Sequence, residues 1–167
     1  MFGFFKKKKN KKEVNKEITL YAVADGELIS IEDVSDLVFA QKMMGDGYAI
    51  VPANGQITAP VEGVINNVFP TKHAVGFTAS DLEVLLHMGI DTVALDGRPF
   101  NTNVNEGQTV DANSVISQVD LDMLEKEEKD NAMMVIFTNG ADVIESFEMN
   151  TPGPVKAGDV VGKIILK

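Results

Sequence analysis

Cysteine is absent from the 167 residues. Its absence excludes a disulfide framework, a thiolate nucleophile and any zinc or iron–sulfur site held by cysteine, and it fits a reducing, cytoplasmic setting. Long apolar runs are missing too: none approaches the ~18 residues that a membrane-spanning helix requires. Histidine is scarce, at two residues. Neither belongs to an HExxH or HxH spacing, so a metal site would need Asp91 or Glu83 to complete it. A Walker-type or kinase-type glycine-rich loop is also lacking, which removes the usual cradle for nucleotide phosphates.

What is present is the balance of an ordinary folded domain, with 44% hydrophobic and 24% charged residues. Charge is divided unevenly along the chain. Residues 1–16 carry seven lysines and one glutamate, a net of +6, while the remaining 151 residues carry a net of −16. An acidic body of that kind repels phosphate backbones, which argues against nucleic-acid binding and favours basic protein partners. We therefore read residues 1–16 as a basic, flexible tail and residues 17–167 as the folded domain. The tail opens Met1-Phe2-Gly3-Phe4-Phe5 and continues into lysines. It is no secretory signal, because the apolar residues precede the charges and no apolar core follows. Two readings stay open for it: a peripheral contact with the anionic inner face of a membrane, or a solvated tail.

From Glu17 onward, short apolar stretches alternate with Gly, Asn, Asp and Pro. Residues 18–23, 28–31, 48–51, 61–69, 74–78, 82–90, 93–95, 115–119, 133–138 and 161–166 read as strands. So many short strands predict an all-β, antiparallel sandwich with Gly-rich turns and one or two short helices. Asn54-Gly55 carries the signature of a type I′ hairpin joining 48–51 to 56–58. A helix is expected over residues 122–129, opened by an Asp122/Glu125 capping pair, and residues 35–44 suggest a helical turn capped by Ser35. Val104 to Val110 aligns with Val155 to Val161 around Gly107 and Gly158, which suggests a duplicated hairpin unit.

The two histidines carry most of the chemical information. Strand alternation places His87 on one face with Leu85 and Gly89, and leaves open space beside the ring at Gly89. Thr71, His73, Val75 and Phe77 share a face, so the Thr71 hydroxyl can reach the His73 imidazole. Ala79-Ser80-Asp81 reads as a turn that makes the two histidine strands antiparallel neighbours. On chemistry alone, three roles remain for the pair: ordinary packing, metal ligation, or a nucleophile that takes a phosphoryl group beside a stabilising partner.

Several ordered motifs resolve that choice by resemblance. They are the stretch from Ile31 through Ser35-Asp36-Leu37-Val38-Phe39 to Met43-Met44-Gly45-Asp46-Gly47; Ala59-Pro60-Val61-Glu62-Gly63; Pro70-Thr71-Lys72-His73-Ala74; Leu86-His87-Met88-Gly89-Ile90-Asp91-Thr92-Val93; Glu106-Gly107-Gln108-Thr109-Val110; and Gly158-Asp159-Val160-Val161. Together they resemble the glucose-type enzyme IIA proteins of the bacterial phosphoenolpyruvate-dependent sugar phosphotransferase system, from about residue 18 to the end. The resemblance implies a phosphocarrier in sugar uptake that takes a phosphoryl group from the phosphocarrier protein HPr and passes it to a cysteine of a IIB domain. It makes His87 the acceptor, gives His73 and Thr71 supporting roles, and implies a docking surface of Leu37, Val38, Phe39, Met43, Met44, Phe69 and Val93. It implies no cofactor and no metal, and it allows regulatory protein targets in addition.

The physics suits those roles. A neutral imidazole is nucleophilic near neutral pH, and phosphoryl transfer needs in-line positioning and neutralisation of the oxygens, for which His73 and backbone amides near Gly89 are candidates. Asp91 would repel a phosphate and is better suited to ordering its loop or meeting a basic partner. The rival from another class is a biotinyl- or lipoyl-type carrier modified at Lys42 in Gln41-Lys42-Met43, a reading that leaves both histidines without work.

Overall fold

The computed structural model describes residues 16–167; the basic segment, apart from Lys16, lies outside the described residues. Strands β1 (Glu17–Tyr21), β2 (Gly26–Ser30), β3 (Gly47–Pro52), β4 (Gln56–Thr58), β5 (Gly63–Val68), β6 (Ala74–Ala79) and β7 (Leu82–Met88) occupy the first half. The second half contributes β8 (Phe100–Thr102), β9 (Thr109–Val110), β10 (Val115–Val119), β11 (Met133–Phe137), β12 (Ile144–Met149), β13 (Gly153–Val155) and β14 (Val160–Leu166). Three short helices interrupt them: α1 (Leu37–Ala40), α2 (Leu121–Lys126) and α3 (Gly140–Val143). Among the described residues no helix is long and apolar enough to cross a membrane.

All strand pairs are antiparallel, and they form three sheets. Eight strands make the large sheet, in the order β13-β2-β3-β11-β7-β6-β5-β9; β1-β14-β12 and β4-β10-β8 make the two small ones. One buried apolar cluster draws on all three, including Leu20, Ile57, Phe77, Leu86, Ile116, Val135 and Ile164. Tyr48 crosses this core from β3 and donates its hydroxyl to the Tyr21 carbonyl at 2.7 Å. That bond satisfies the one polar atom of a fully buried ring and ties the large sheet to β1.

The predicted all-β sandwich is the fold observed, because the period-2 pattern sorts residues to the two faces of each strand. On β7, Leu82, Val84, Leu86 and Met88 are buried in the main core, whereas Glu83, Leu85 and His87 look the other way. That outer face is covered in part by a second cluster of Ile31, Val34, Phe39, Ala49, Ala132, Met134 and Ile136. β11 is consequently buried on both faces, which is why it reads as an unbroken apolar run.

Several local expectations are corrected. Asn54-Gly55 makes no hairpin: β3 belongs to the large sheet and β4 pairs with β10 in a small one. Neither residue adopts a positive φ. Asn54 instead accepts from the Gln56 amide and donates to Asp25, an Asx turn that passes the chain between sheets. Glycine is needed at 55 for space, since a Cβ there would stand 1.9 Å from the Val119 carbonyl oxygen. Residues 92–95 form a 3-10 turn in place of a strand. The helix expected from Asp122 begins at Leu121, and its cap is Asp120, whose carboxylate accepts from the Met123 amide at 3.0 Å. Asp36, not Ser35, caps α1. Gly107 and Gly158 do share a left-handed turn, at φ +88° and +86°. The hairpin inferred around each does not recur, because β13 and β14 lie in different sheets. The strands at 100–102, 144–149 and 153–155 were not expected from the pattern.

Candidate functional site

The site is built on the outer face of the large sheet, where β6 and β7 meet. The antiparallel register pairs Ala74 with His87, and on the other side Met134 of β11 with His87. The imidazole therefore rises between a small residue and an apolar one. Phe39, carried by α1, closes over it with ring centroids 5.1 Å apart. A strand alone would expose this histidine; the 31–44 segment folded across the sheet makes it half-buried.

β7 ends one residue later. Gly89 takes φ +81°, and its carbonyl turns back to accept from the Nδ1–H of His87 at 2.7 Å. A carbonyl can only accept, so Nδ1 holds the proton and Nε2 keeps a free lone pair in the neutral ring. Burial lowers the His87 pKa, while the Gly89 hydrogen bond and the nearby charge of Asp36 oppose that shift. The ring is thus biased toward its neutral, nucleophilic form.

His73 sits one residue before β6, in a turn where Lys72 takes φ +60°. The expectation that His73 shares a face with Val75 and Phe77 fails here. Those two belong to the main core, whereas the His73 ring meets Phe69 edge-on at 5.5 Å and His87 edge-on at 5.0 Å. The left-handed residue before it breaks the strand alternation and brings the ring to the site. Thr71 Oγ1 lies 2.5 Å from His73 Nδ1. With the hydroxyl donating to Nδ1, the ring proton resides on Nε2. His73 is only 5% exposed. Burial, aided by the neighbouring His87, pushes its pKa down to about 4.

Two further expectations are revised. The space beside Gly89 is filled, since a Cβ there would meet Thr92 Cγ2 at 2.6 Å and the Asp130 carbonyl at 2.9 Å. The amides around Gly89 are engaged as well: Met88 N–H donates to His73, Gly89 N–H to Ala132 and Ile90 N–H to Asp130, all to carbonyls. Of the neutralising groups considered, the His73 imidazole is the one left with a donor to offer.

The side chains expected to form the docking surface differ in exposure. Leu37, Val38, Met43, Met44 and Val93 are exposed, Leu37 and Met43 to about 70%. Phe69 is half-buried against His73 and Phe39 is buried against His87. Phe39 thus forms one wall of the site and Phe69 another. Asp91 stands in the left-handed region at φ +60° and accepts from Lys129 Nζ at 2.9 Å. That contact orders the loop after Gly89. Lys42 is no displayed carrier lysine: it too is left-handed, after α1 and not at a hairpin tip, with its amine 3.5 Å from Glu32 and 3.6 Å from Asp46. Sequence reasoning missed Asp36 as the charge beside His87. It also missed Thr102, on a strand of three residues that the pattern does not show, and the role of Ser117 on the expected strand at 115–119.

An antiparallel all-β fold with two edge-on histidines on its outer face is the class of the phosphotransferase-system IIA components, as the comparisons with known proteins show. The family model for phosphoenolpyruvate-dependent sugar phosphotransferase system, EIIA 1 matches residues 18–143, and the chain belongs to that family. More particularly, its relatives are glucose-specific components. It is 43% identical over 149 residues to the glucose-specific EIIA component of Staphylococcus epidermidis, covering 89% of each chain. It is 46% identical over 156 residues to the glucose-specific EIICBA component of Streptococcus pneumoniae, covering 93% of this chain and about a fifth of that protein. The solved structure of glucose permease IIA from Mycoplasma capricolum superposes with a TM-score of 0.79 at 38% identity, over 90% of this chain and 97% of the other. The biotinyl- or lipoyl-carrier alternative finds no support in these likenesses.

Proposed function

We propose that His87 is the phosphoryl acceptor of a cytoplasmic phosphocarrier, charged by phospho-HPr and discharged to a cysteine of a IIB domain. The observation that carries this reading is the hydrogen bond from His87 Nδ1–H to the Gly89 carbonyl, which leaves Nε2 unprotonated in the neutral ring. In the first transfer, the Nε2 lone pair attacks phosphorus and a new P–N bond forms. The P–N bond to the donor imidazole breaks and its electron pair stays on that imidazole. In the second, a thiolate attacks the same phosphorus and the pair of the broken bond returns to His87 Nε2. The Nε2–H of His73 donates to a phosphoryl oxygen in both directions, and Thr71 keeps that proton on the correct nitrogen.

The exposed apolar side chains at the rim exclude water when a partner docks, which protects the labile P–N bond. Two methionines among them suit a surface that must accept two partners in turn. The fused IIC, IIB and IIA parts named in the Streptococcus pneumoniae relative agree with a IIB domain as the next acceptor.

The test is phosphoryl transfer from phosphoenolpyruvate through enzyme I and HPr, read by intact mass. One acid-labile phosphoryl group is expected on the native chain and none on His87→Ala. His73→Ala should still be phosphorylated at His87, with onward transfer to a IIB domain lowered by about a hundredfold, the scale of a lost general-acid or oxyanion-type donor. A native chain that stays unmodified rejects the reading, and label on His87→Ala rejects the acceptor assignment.

A further inference from the structure

His73 can serve only if its ring is held at the correct angle, and the turn that carries it is held from outside the large sheet. Lys72 sits in the left-handed region at φ +60°, a conformation that lysine does not favour on its own. Its carbonyl lies between Thr71, which bonds His73 Nδ1, and His73 itself. Thr102 Oγ1, on β8 of a small sheet, donates to that carbonyl at 3.0 Å. Ser117 Oγ, on β10, lies 2.8 Å from Thr102 Oγ1. The single proton of Thr102 is committed to a group that can only accept, so the Ser117 hydroxyl donates to Thr102. Thr102 is 7% exposed and Ser117 1%. β8 and β10 are paired here, with Ser117 opposite Thr102.

Two sets of contacts meet at this turn: Ser117 Oγ–H to Thr102 Oγ1 and Thr102 Oγ1–H to the Lys72 carbonyl on one side, and Thr71 Oγ1 with His73 Nδ1 on the other. With Thr71 as the donor, His73 carries its proton on Nε2, and its ring stands edge-on to His87. The turn is also backed by Gly97, where a Cβ would stand 3.3 Å from the Thr71 carbonyl oxygen. Backbone bonds from Lys72 N–H to Phe69 and from Met88 N–H to His73 hold the two ends of the turn, and the Thr102 hydroxyl is the side chain that bonds the Lys72 carbonyl between them.

We propose that Thr102, supported by Ser117, is a positioning residue for phosphoryl transfer, which fixes the Lys72 peptide and so the orientation and tautomer of His73. This rests on the reading of His87 and His73 given above. It adds to that reading a residue thirty positions away on another sheet, reached only through a buried hydroxyl pair.

Thr102→Val keeps the shape of the side chain and removes the hydroxyl; Thr102→Ser restores it. For Thr102→Val we expect His87 to accept the phosphoryl group to the same final extent. The kcat for onward transfer to a IIB domain should fall about tenfold, as for a modest misplacement of a reacting group. KM for that domain should stay within twofold, since the docking rim is untouched. Thr102→Ser should recover most of the rate. Nitrogen NMR of the imidazoles in the unphosphorylated chain gives a readout independent of turnover: the His73 signals should show Nε2–H alone in the native chain and a mixture of tautomers in Thr102→Val. If Thr102→Val melts too early for assay, Ser117→Ala serves in its place, with the same direction and a smaller amplitude. The proposal is overturned if these variants transfer at the native rate, or if kcat falls with the His73 signals unchanged and no rescue by serine. A native chain that takes no phosphoryl group would sink the functional reading alone, and the tautomer measurement would still decide whether Thr102 positions His73.

Discussion

At the scale of single residues, the site depends on which nitrogen of each imidazole holds a proton. For His87 the Gly89 carbonyl decides, since it can only accept; for His73 the partner is the Thr71 hydroxyl, which the proposed function uses as a donor. Both rings are shifted toward neutrality by burial. A lowered folded-state pKa means that the unfolded chain binds protons more readily. Stability is therefore complete above about 6.5, the ordinary imidazole value, and falls as pH drops below it, with the His73 share fully lost near 4. Urea midpoints measured across that window should decline for the native chain. Replacing both histidines by glutamine should flatten the part of the decline that they cause; an unchanged slope would assign it to the carboxylates alone. Residue identities were legible in the sequence to this depth: His87, His73 and Thr71 are local to their motifs. Asp36 was not, since its charge reaches His87 only after α1 crosses the sheet.

At the scale of elements, two features decide the geometry. The first is the passage of chain between sheets at Asn54-Gly55. A Gly55→Ala substitution would force a Cβ into the Val119 carbonyl at 1.9 Å, and Val119 N–H also donates to the Gly55 carbonyl at 2.8 Å. We expect a loss of about 2–3 kcal/mol from such overpacking, read as a lower urea midpoint with an unchanged slope. A change below half a kcal/mol would show that β4 and β10 separate easily. The second feature is α1, four residues long, which projects Leu37 into solvent while burying Phe39. Leu37→Asp should leave the melting temperature within a few degrees and raise KM for HPr about tenfold with kcat preserved, as expected when a docking contact is lost without harm to the chemistry. A fall in kcat alone would place Leu37 outside the docking surface. The sequence of residues 35–44 suggests a helical turn. It does not announce which side faces out, because a helix of one turn has too few residues to show a 3.6-residue period.

At the scale of the whole molecule, charge is partitioned between a basic first segment and an acidic body. An acidic surface favours encounter with basic partners and disfavours an anionic membrane, so any membrane contact falls to residues 1–16. If that segment contacts the inner leaflet, its removal should abolish co-sedimentation with phosphatidylserine-containing vesicles; unchanged sedimentation would leave the segment as a solvated tail. Either result leaves phosphoryl transfer in solution intact.

The sequence by itself determined the all-β class, the faces of β7, the antiparallel union of the two histidine strands and the family motifs, because each is written in residues two apart or across one short turn. Tertiary structure alone decided that β3 and β4 part into different sheets, that His73 leaves its strand's alternation to stand edge-on against His87, and that Thr102 and Ser117 hold the turn beneath it. Local periodicity is a property of neighbours along the chain. The register that places one hydroxyl under another strand's carbonyl is set by the packing of a core shared among three sheets, and no run of consecutive residues records it.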